Sequence, residues 1–219
     1  MNTKTDKTLR VEIVSDVVCP WCVIGYKQLE RALARLQLTA EITWQPFELN
    51  PSMPAEGQNL REHLAGKYGT TLEGSIRARA MLTERGAALG FSFRYSDDMR
   101  MYNTFRAHQL LHWASERGEQ HALKLELFAE YFSRGHDVSD IDVLTRAATA
   151  VGLDAAEARE LLEDQRYAER VRAQQRVWTA SGVRGVPAMV FQGKYLVTGA
   201  QGVENYEAIL KQITEEAAA

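Results

Sequence analysis

Apolar and polar residues alternate at the start of the chain: Leu9, Val11 and Ile13 are separated by Arg10 and Glu12. A period of two marks a strand. The period then changes. Cys22, Tyr26, Leu29, Leu33 and Leu36 recur at steps of three and four, which predicts a helix with one stripe turned inward and Cys22 at the head of that stripe. Residues 41–47 alternate again, with Ile42 and Trp44 on one face. Pro46 ends this strand or leaves its edge unpaired, because proline has no amide to give to a ladder. The breaker cluster Asn50-Pro51-Ser52-Met53-Pro54 follows, and the pattern then turns helical for roughly a hundred residues.

Within that stretch one helix is predicted over residues 73–89, closed by Gly90 in the left-handed region. Others are predicted over 104–117 and 123–134, with Gly118 and Gly135 after them. Asp140 and Asp154 are placed to cap two more, the first ending near Gly152. A further helix over 167–181 leads back to sheet. The turn Gly182-Val183-Arg184-Gly185-Val186-Pro187 precedes a short apolar strand, 188–191, and Gln192-Gly193-Lys194 makes a hairpin into 195–198. The last helix begins near Val203. The predicted order is strand, helix, strand, helical block, helix, two antiparallel strands, helix.

Composition narrows the class. In 219 residues, 45% are hydrophobic and 25% charged, ordinary for a globular protein and enough for one large domain or a domain with an insertion. A net charge of -3 without any basic tract argues against a nucleic-acid partner. No apolar run approaches a membrane span. The first eight residues are polar and lack the apolar core of a signal peptide, so a chain starting at its natural terminus is expected to be cytosolic. A disulfide there would be transient and catalytic.

The chain has only two cysteines, Cys19 and Cys22, at the strand-to-helix junction Ser15-Asp16-Val17-Val18-Cys19-Pro20-Trp21-Cys22. Pro20 suits the first helical turn, where a missing amide costs nothing. Cys19 then falls at or beside the helix N-cap, where unpaired amides and the positive end of the helix dipole favour a thiolate. The expectation is a depressed Cys19 pKa, with Cys22 one turn further in and within disulfide reach. The expected geometry is an exposed attacking sulfur and a more buried resolving one. Two unrelated buried thiols would be a coincidence at this spacing. A zinc site lacks its other ligands, and a structural disulfide across so small a loop would stabilise little.

Two other groupings are weaker. His108 and His112 are four apart on one predicted helix, yet no third ligand and no zinc-protease glutamate accompanies them. Satisfied or solvent-facing histidines are expected. Asp137, Asp140 and Asp142 fit capping and solvation better than cation binding. No metal site is expected.

The whole order resembles the thioredoxin fold with helices inserted in its middle, as in the DsbA family, and most closely its cytosolic FrnE-like branch. The residues that carry this are Ser15-Asp16 with Cys19-Pro20-Trp21-Cys22 and Gly25, and Pro46-Phe47-Glu48-Leu49-Asn50-Pro51. Further on they are Asn103-Thr104 with Ala107-His108, Gly182-Val183 with Gly185-Val186-Pro187-Ala188, then Gly193 and Gly199-Ala200-Gln201. The resemblance implies an α/β thioredoxin-like domain from residues 1–55 and 167–219, with 56–166 as an inserted helical domain. It also implies a cis Val186-Pro187 bond against the disulfide, with the Val186 backbone docking an extended substrate. From the residues alone, Pro187 reads as a turn proline before an edge strand. The Pro20-Trp21 dipeptide departs from the Gly-Pro of thioredoxins and the Pro-His of DsbA. An indole brings no charge to the thiolate, so a less extreme Cys19 and lower oxidising power than those of DsbA are expected.

Thiol-disulfide exchange is therefore the leading expectation, with Cys19 attacking, Cys22 resolving, and no cofactor beyond glutathione as a candidate redox partner. Protein or small thiols and disulfides are the expected substrates. Two alternatives stay open. One is glutathione-dependent chemistry of the kappa transferase and hydroxychromene carboxylate isomerase type, in which a serine stands where Cys19 does here. The other is a holdase-like binding module with the thiols as a redox switch.

Overall fold

The computed structural model describes residues 8–216. Residues 1–7 and 217–219, which hold most of the polar N-terminal stretch and the end of the alanine-rich C-terminus, lie outside the described residues. The elements run β1 (Leu9–Ser15), α1 (Pro20–Leu36), β2 (Ala40–Pro46), β3 (Gln58–Asn59), α2 (Leu60–Tyr68), α3 (Leu72–Ala88), β4 (Arg100–Met101), α4 (Phe105–Ser115) and α5 (Gln120–Phe132). They continue with α6 (Ile141–Ala150), α7 (Ala155–Asp164), α8 (Ala168–Ala180), β5 (Ala188–Phe191), β6 (Tyr195–Thr198) and α9 (Val203–Glu216).

The main sheet has the order β2-β1-β5-β6. β1 is parallel to β2, with Leu9 opposite Ala40 and Ser15 opposite Pro46. It is antiparallel to β5, with Val11 opposite Phe191 and Val14 opposite Ala188. β1 is thus central, and its period of two serves two layers. Leu9, Val11 and Ile13 join the large apolar cluster beneath α1 and α9, while Val14 packs with Val183, Ala188 and Trp178 on the opposite face. β2 lies at the sheet edge, so Pro46 leaves its unpaired side without penalty. The parallel pairing of β1 with β2 requires the intervening α1 as a crossover.

Helix boundaries follow the caps read from the sequence. Asp140 accepts from the amides of Asp142 and Val143, and Asp154 from that of Glu157, satisfying the orphan donors of α6 and α7. Gly90 adopts φ +79° beyond the end of α3, where a Cβ would be strained. The small sheet of β3 and β4 and the short helix α2 are additional to the predicted elements. A two-residue strand is too short to carry a period. Gly25 marks the approach of α1 to the β5 end of the sheet. A Cβ there would sit 3.1 Å from Pro187 Cγ and 3.4 Å from Met189 Cε.

Candidate active site

β1 delivers the chain to Asp16 and α1 begins at Pro20, so the cysteine motif occupies the junction between the central strand and the first helix. Cys19 is the N-cap of α1, extended at φ -94° and ψ 110°, with Pro20 in the first turn. The Cys22 amide donates to the Cys19 carbonyl at 3.1 Å. Both cysteines are free thiols, and they lie close enough for Cys19 to act on the Cys22 thiol. Cys19 Sγ lies 3.6 Å from the Val186 carbonyl oxygen, and the Val186-Pro187 peptide bond is cis.

The exposure of Cys19 corrects the sequence-based expectation. Its side chain is not open to solvent: Cys19 is 3% exposed and Cys22 fully buried. The Val186 carbonyl lies against the sulfur, at 3.6 Å. What Cys19 faces instead is a cavity of about 480 Å³ that it lines together with Pro20, Trp21 and Val186 on one side and residues of α2 and α3 on the other. The guanidinium of Arg85 sits 5.4 Å over the Trp21 ring, a cation-π contact that holds the indole at the cavity rim.

Beneath Cys22 the structure assembles three buried ionisable groups. Asp16 Oδ2 accepts from the Leu49 amide at 2.8 Å, and Asp16 Oδ1 lies 3.4 Å from His108 Nε2. The same histidine nitrogen donates to the Phe47 carbonyl at 3.0 Å. Burial alone would raise the Asp16 pKa, but the His108 ring, the Leu49 amide and the Lys124 charge outweigh it, and the carboxyl is held below its ordinary value. Lys124 is 1% exposed, with its ammonium 5.3 Å from the Trp44 ring and 4.9 Å from the Phe128 ring. Burial lowers its pKa to about 8, against the pull of Cys22, Asp16 and Cys19. Burial pushes the Cys22 thiol well up, helped by the hydrogen bond and charge of Cys19, and Lys124 opposes that rise.

The sequence-predicted site residues Cys19, Pro20, Trp21 and Val186 therefore meet at one cavity, with Pro187 next to Val186 and against Gly25. His108 and His112 do not act together: His108 turns to Asp16, while His112 Nδ1 pairs with Gln174 at 3.1 Å. Lys124 was missed, although a signal was present. It shares the stripe of Phe128 and Tyr131 at steps of four and three, a cation on an apolar face. Tyr95 was also missed. Its hydroxyl pKa is raised by burial, and the Cys19 charge adds to the rise.

The sequence profile of the DSBA-like thioredoxin domain matches residues 10–211. The chain belongs to that family. The DsbA-like assignment agrees with a solved structure described as a probable DsbA oxidoreductase from Streptomyces coelicolor, which is 36% identical, with a TM-score of 0.88 over 95% of this chain and 91% of that one. The uncharacterized protein YwbO of Bacillus subtilis is 28% identical over 210 residues, 95% of this chain and 98% of its own length. A 2-hydroxychromene-2-carboxylate isomerase is 15% identical with a TM-score of 0.73, covering 95% of this chain and 98% of its own, a likeness of fold alone. The chain thus has the DsbA-like oxidoreductase fold, and no helix among the described residues is long and apolar enough to cross a membrane.

Proposed function

We propose that this DsbA-like protein is a thiol-disulfide oxidoreductase working through the Cys19-Pro20-Trp21-Cys22 centre. The observation that carries the reading is Cys19 at the N-cap of α1, with Cys22 one turn on, its amide donating to the Cys19 carbonyl at 3.1 Å, and the Val186 carbonyl 3.6 Å from the Cys19 sulfur. Helix N-termini favour anions, so the Cys19 thiolate is the nucleophile. It attacks a substrate disulfide to give a mixed disulfide and one released thiol. Cys22 then loses its proton and attacks Cys19, closing the Cys19-Cys22 bond and releasing the second thiol. The buried Cys22 thiol needs help at that step. The Lys124 ammonium stabilises the developing thiolate by charge, and with a pKa of about 8 it exchanges protons near neutrality. Cys22 and Asp16 oppose the effect of burial, so Lys124 stays mostly protonated near neutral pH.

The two cysteines carry both electrons, so the exchange needs no cofactor, and glutathione serves as a redox partner. Having no other cysteine to form a structural disulfide, the protein suits a reducing compartment such as the cytosol. Val186 presents its backbone to the substrate beside Cys19. Equilibration across ratios of reduced and oxidised glutathione, read by alkylation of both thiols and by Trp21 fluorescence, should give a reversible two-electron transition. Its midpoint separates a reductase near about -270 mV from an oxidant near about -120 mV. Cys19→Ser should abolish turnover, and Cys22→Ser should accumulate mixed disulfides. Absence of a Cys19-Cys22 disulfide at every ratio would end this reading.

Two alternatives have specific support. The fold is shared with an isomerase, so glutathione conjugation of an electrophile by Cys22→Ala protein would favour glutathione-dependent chemistry, for which Cys22 is superfluous. Tyr68, Leu72 and Ile76 are exposed on α2 and α3, as a holdase surface would require. Aggregation suppression that survives loss of both cysteines would favour that role.

A further inference from the structure

Closing a Cys19-Cys22 disulfide removes a proton from Cys22, a thiol that is fully buried and does not line the cavity beside Cys19. Asp16 is a poor acceptor: against the effect of its burial, the His108 ring and the Leu49 amide hold its carboxyl below the ordinary value. Lys124, 1% exposed, is the buried base whose charge acts on Cys22. Its ammonium rests 5.3 Å from the Trp44 ring and 4.9 Å from the Phe128 ring. It donates a hydrogen bond to no group among the described residues, although a buried ammonium ordinarily has a partner. The nitrogen is not sealed. The unpartnered side-chain atoms without accessible surface include Asp16 Oδ1 and Glu48 Oε1 but not Lys124 Nζ, so the little surface that Lys124 keeps includes its nitrogen.

Lys124 lines a second, small pocket that shares no residue with the cavity beside Cys19. Lys124, His108 and Leu111, all buried, form its floor, and His112, Gln120 and Gln174, all half-buried, form its rim. About 10 Å³ is open to the centre of a water molecule, the room that one water needs. The rim is fixed by its own bonds. His112 Nδ1 donates to Gln174 Oε1 at 3.1 Å, and Gln120 is tied at 2.9 Å to both the amide and the carbonyl of Trp44. Each amide oxygen keeps a lone pair for a water, and Nε2 of the neutral His112 ring remains an acceptor.

We propose that this pocket holds one water and is the port through which the Cys22 proton leaves the protein, by way of Lys124. The inference rests on the exchange chemistry proposed above and adds the path of its proton. In the mixed disulfide the Cys22 S-H bond breaks, its proton passes to the fraction of Lys124 that is amine, and the sulfur's electron pair forms the bond to Cys19. The bond from Cys19 to the substrate sulfur breaks, and the substrate thiolate leaves with that pair and takes a proton from bulk water. Lys124 then hands a proton to the pocket water, which passes one to solvent at the rim, and the amine is restored. The titratable groups around Lys124 are Asp16, Cys19 and Cys22 from the strand-to-helix junction and His108 and His112 from α4.

Two measurements test the port. In reduced protein labelled with 15N-lysine, the Lys124 signal, identified by its loss in Lys124→Met, should show Nζ hydrogens exchanging with solvent faster than the amides of β1, which open only with the whole fold. Mixing with dithiodipyridine releases one thiopyridone as Cys19 is captured and a second as Cys22 resolves the mixed disulfide. Gln174→Phe, which sets an apolar ring at the rim, should slow both the Nζ exchange and the second release about tenfold, part of what a positioned proton acceptor contributes. The first release should stay within about twofold, since the pocket does not touch Cys19. His112→Phe should act in the same direction and covers the case in which Gln174→Phe fails to fold. Wild-type Nζ exchange no faster than that of β1, slowed exchange with an unchanged second release, or equal slowing of both releases would each overturn the proposal. A missing second release in wild-type protein would instead sink the exchange chemistry, while the Nζ exchange would still report whether the pocket connects Lys124 to solvent.

Discussion

The two halves of the helical block that flank the cysteine motif are built differently. α4 and α5 are dense: Leu110, Trp113, Leu123, Leu127 and Phe128 are all buried, and the ionisable His108 and Lys124 are buried with them. α2 buries only Leu60, and the seventeen residues of α3 bury only Ser75, Leu82 and Gly86. The dense half lies against Cys22 and holds Lys124 where bulk water cannot solvate its charge, which is why the Lys124 pKa is lowered. The thin half lies against Cys19 and leaves space. Cys22 is thereby given a closely packed, charged environment, and Cys19 is given open space beside it.

The sharpest way to break this contrast is to cut a large side chain from each half. Trp113→Ala removes a buried indole whose Nε1 donates to Glu157 at 3.0 Å, and denaturant unfolding should show a loss of about 4 kcal/mol. Leu64→Ala in α2, half-buried on the cavity wall, should cost about 1 kcal/mol or less. Equal losses would show that the thin half is as tightly packed as the other.

Lys124 gives the next largest effect, through pH. Its folded pKa of about 8 lies below the ordinary 10.5, so between those values the unfolded chain binds more protons and stability rises with pH. The rise is about 3 kcal/mol. Lys124→Met should lack it, and denaturant midpoints at pH 7 and pH 10.5 for both proteins would show whether it does. Asp16 works at the other end. Its folded pKa is depressed, so its contribution is complete above the unfolded value near 3.8 and is lost as pH falls through the folded one. Asp16→Asn should flatten the acid limb of the stability profile, and an unchanged limb would mean that His108 and the Leu49 amide do not hold the carboxylate.

The smallest effect belongs to the exposed face of the thin half. Ile76→Ser in α3, at 53% exposure, should leave the unfolding midpoint within about 0.5 kcal/mol of wild type.

Much of the fold was legible because it rests on local order. The alternation of Leu9, Val11 and Ile13 and the stripe from Cys22 to Leu36 give β1 and α1, and Asp140 and Asp154 cap the helices they were expected to cap. β3, β4 and α2 were not delimited, since two-residue strands have no period and α2 has little amphipathic character to read. In the site, the spacing of the cysteine pair was legible in the residues, whereas the cis Val186-Pro187 bond followed only from the resemblance to the DsbA family, the residues alone reading as a turn proline. The burial of Cys19 was not legible, because the Val186 backbone that lies against its sulfur is 167 residues away in sequence.

The sequence by itself determined the order of the four main-sheet strands and of the longer helices, and the place of Cys19 at a helix N-cap, because periodicity, proline and capping act over a few residues. Only the tertiary structure decided that Asp16, His108 and Lys124 share one buried site beneath Cys22, and that a cavity lined by residues of α2 and α3 lies beside Cys19. Those meetings depend on helices packing across long stretches of chain, and on burial, which turns an ordinary lysine or arginine into a group that must find its partner inside the protein.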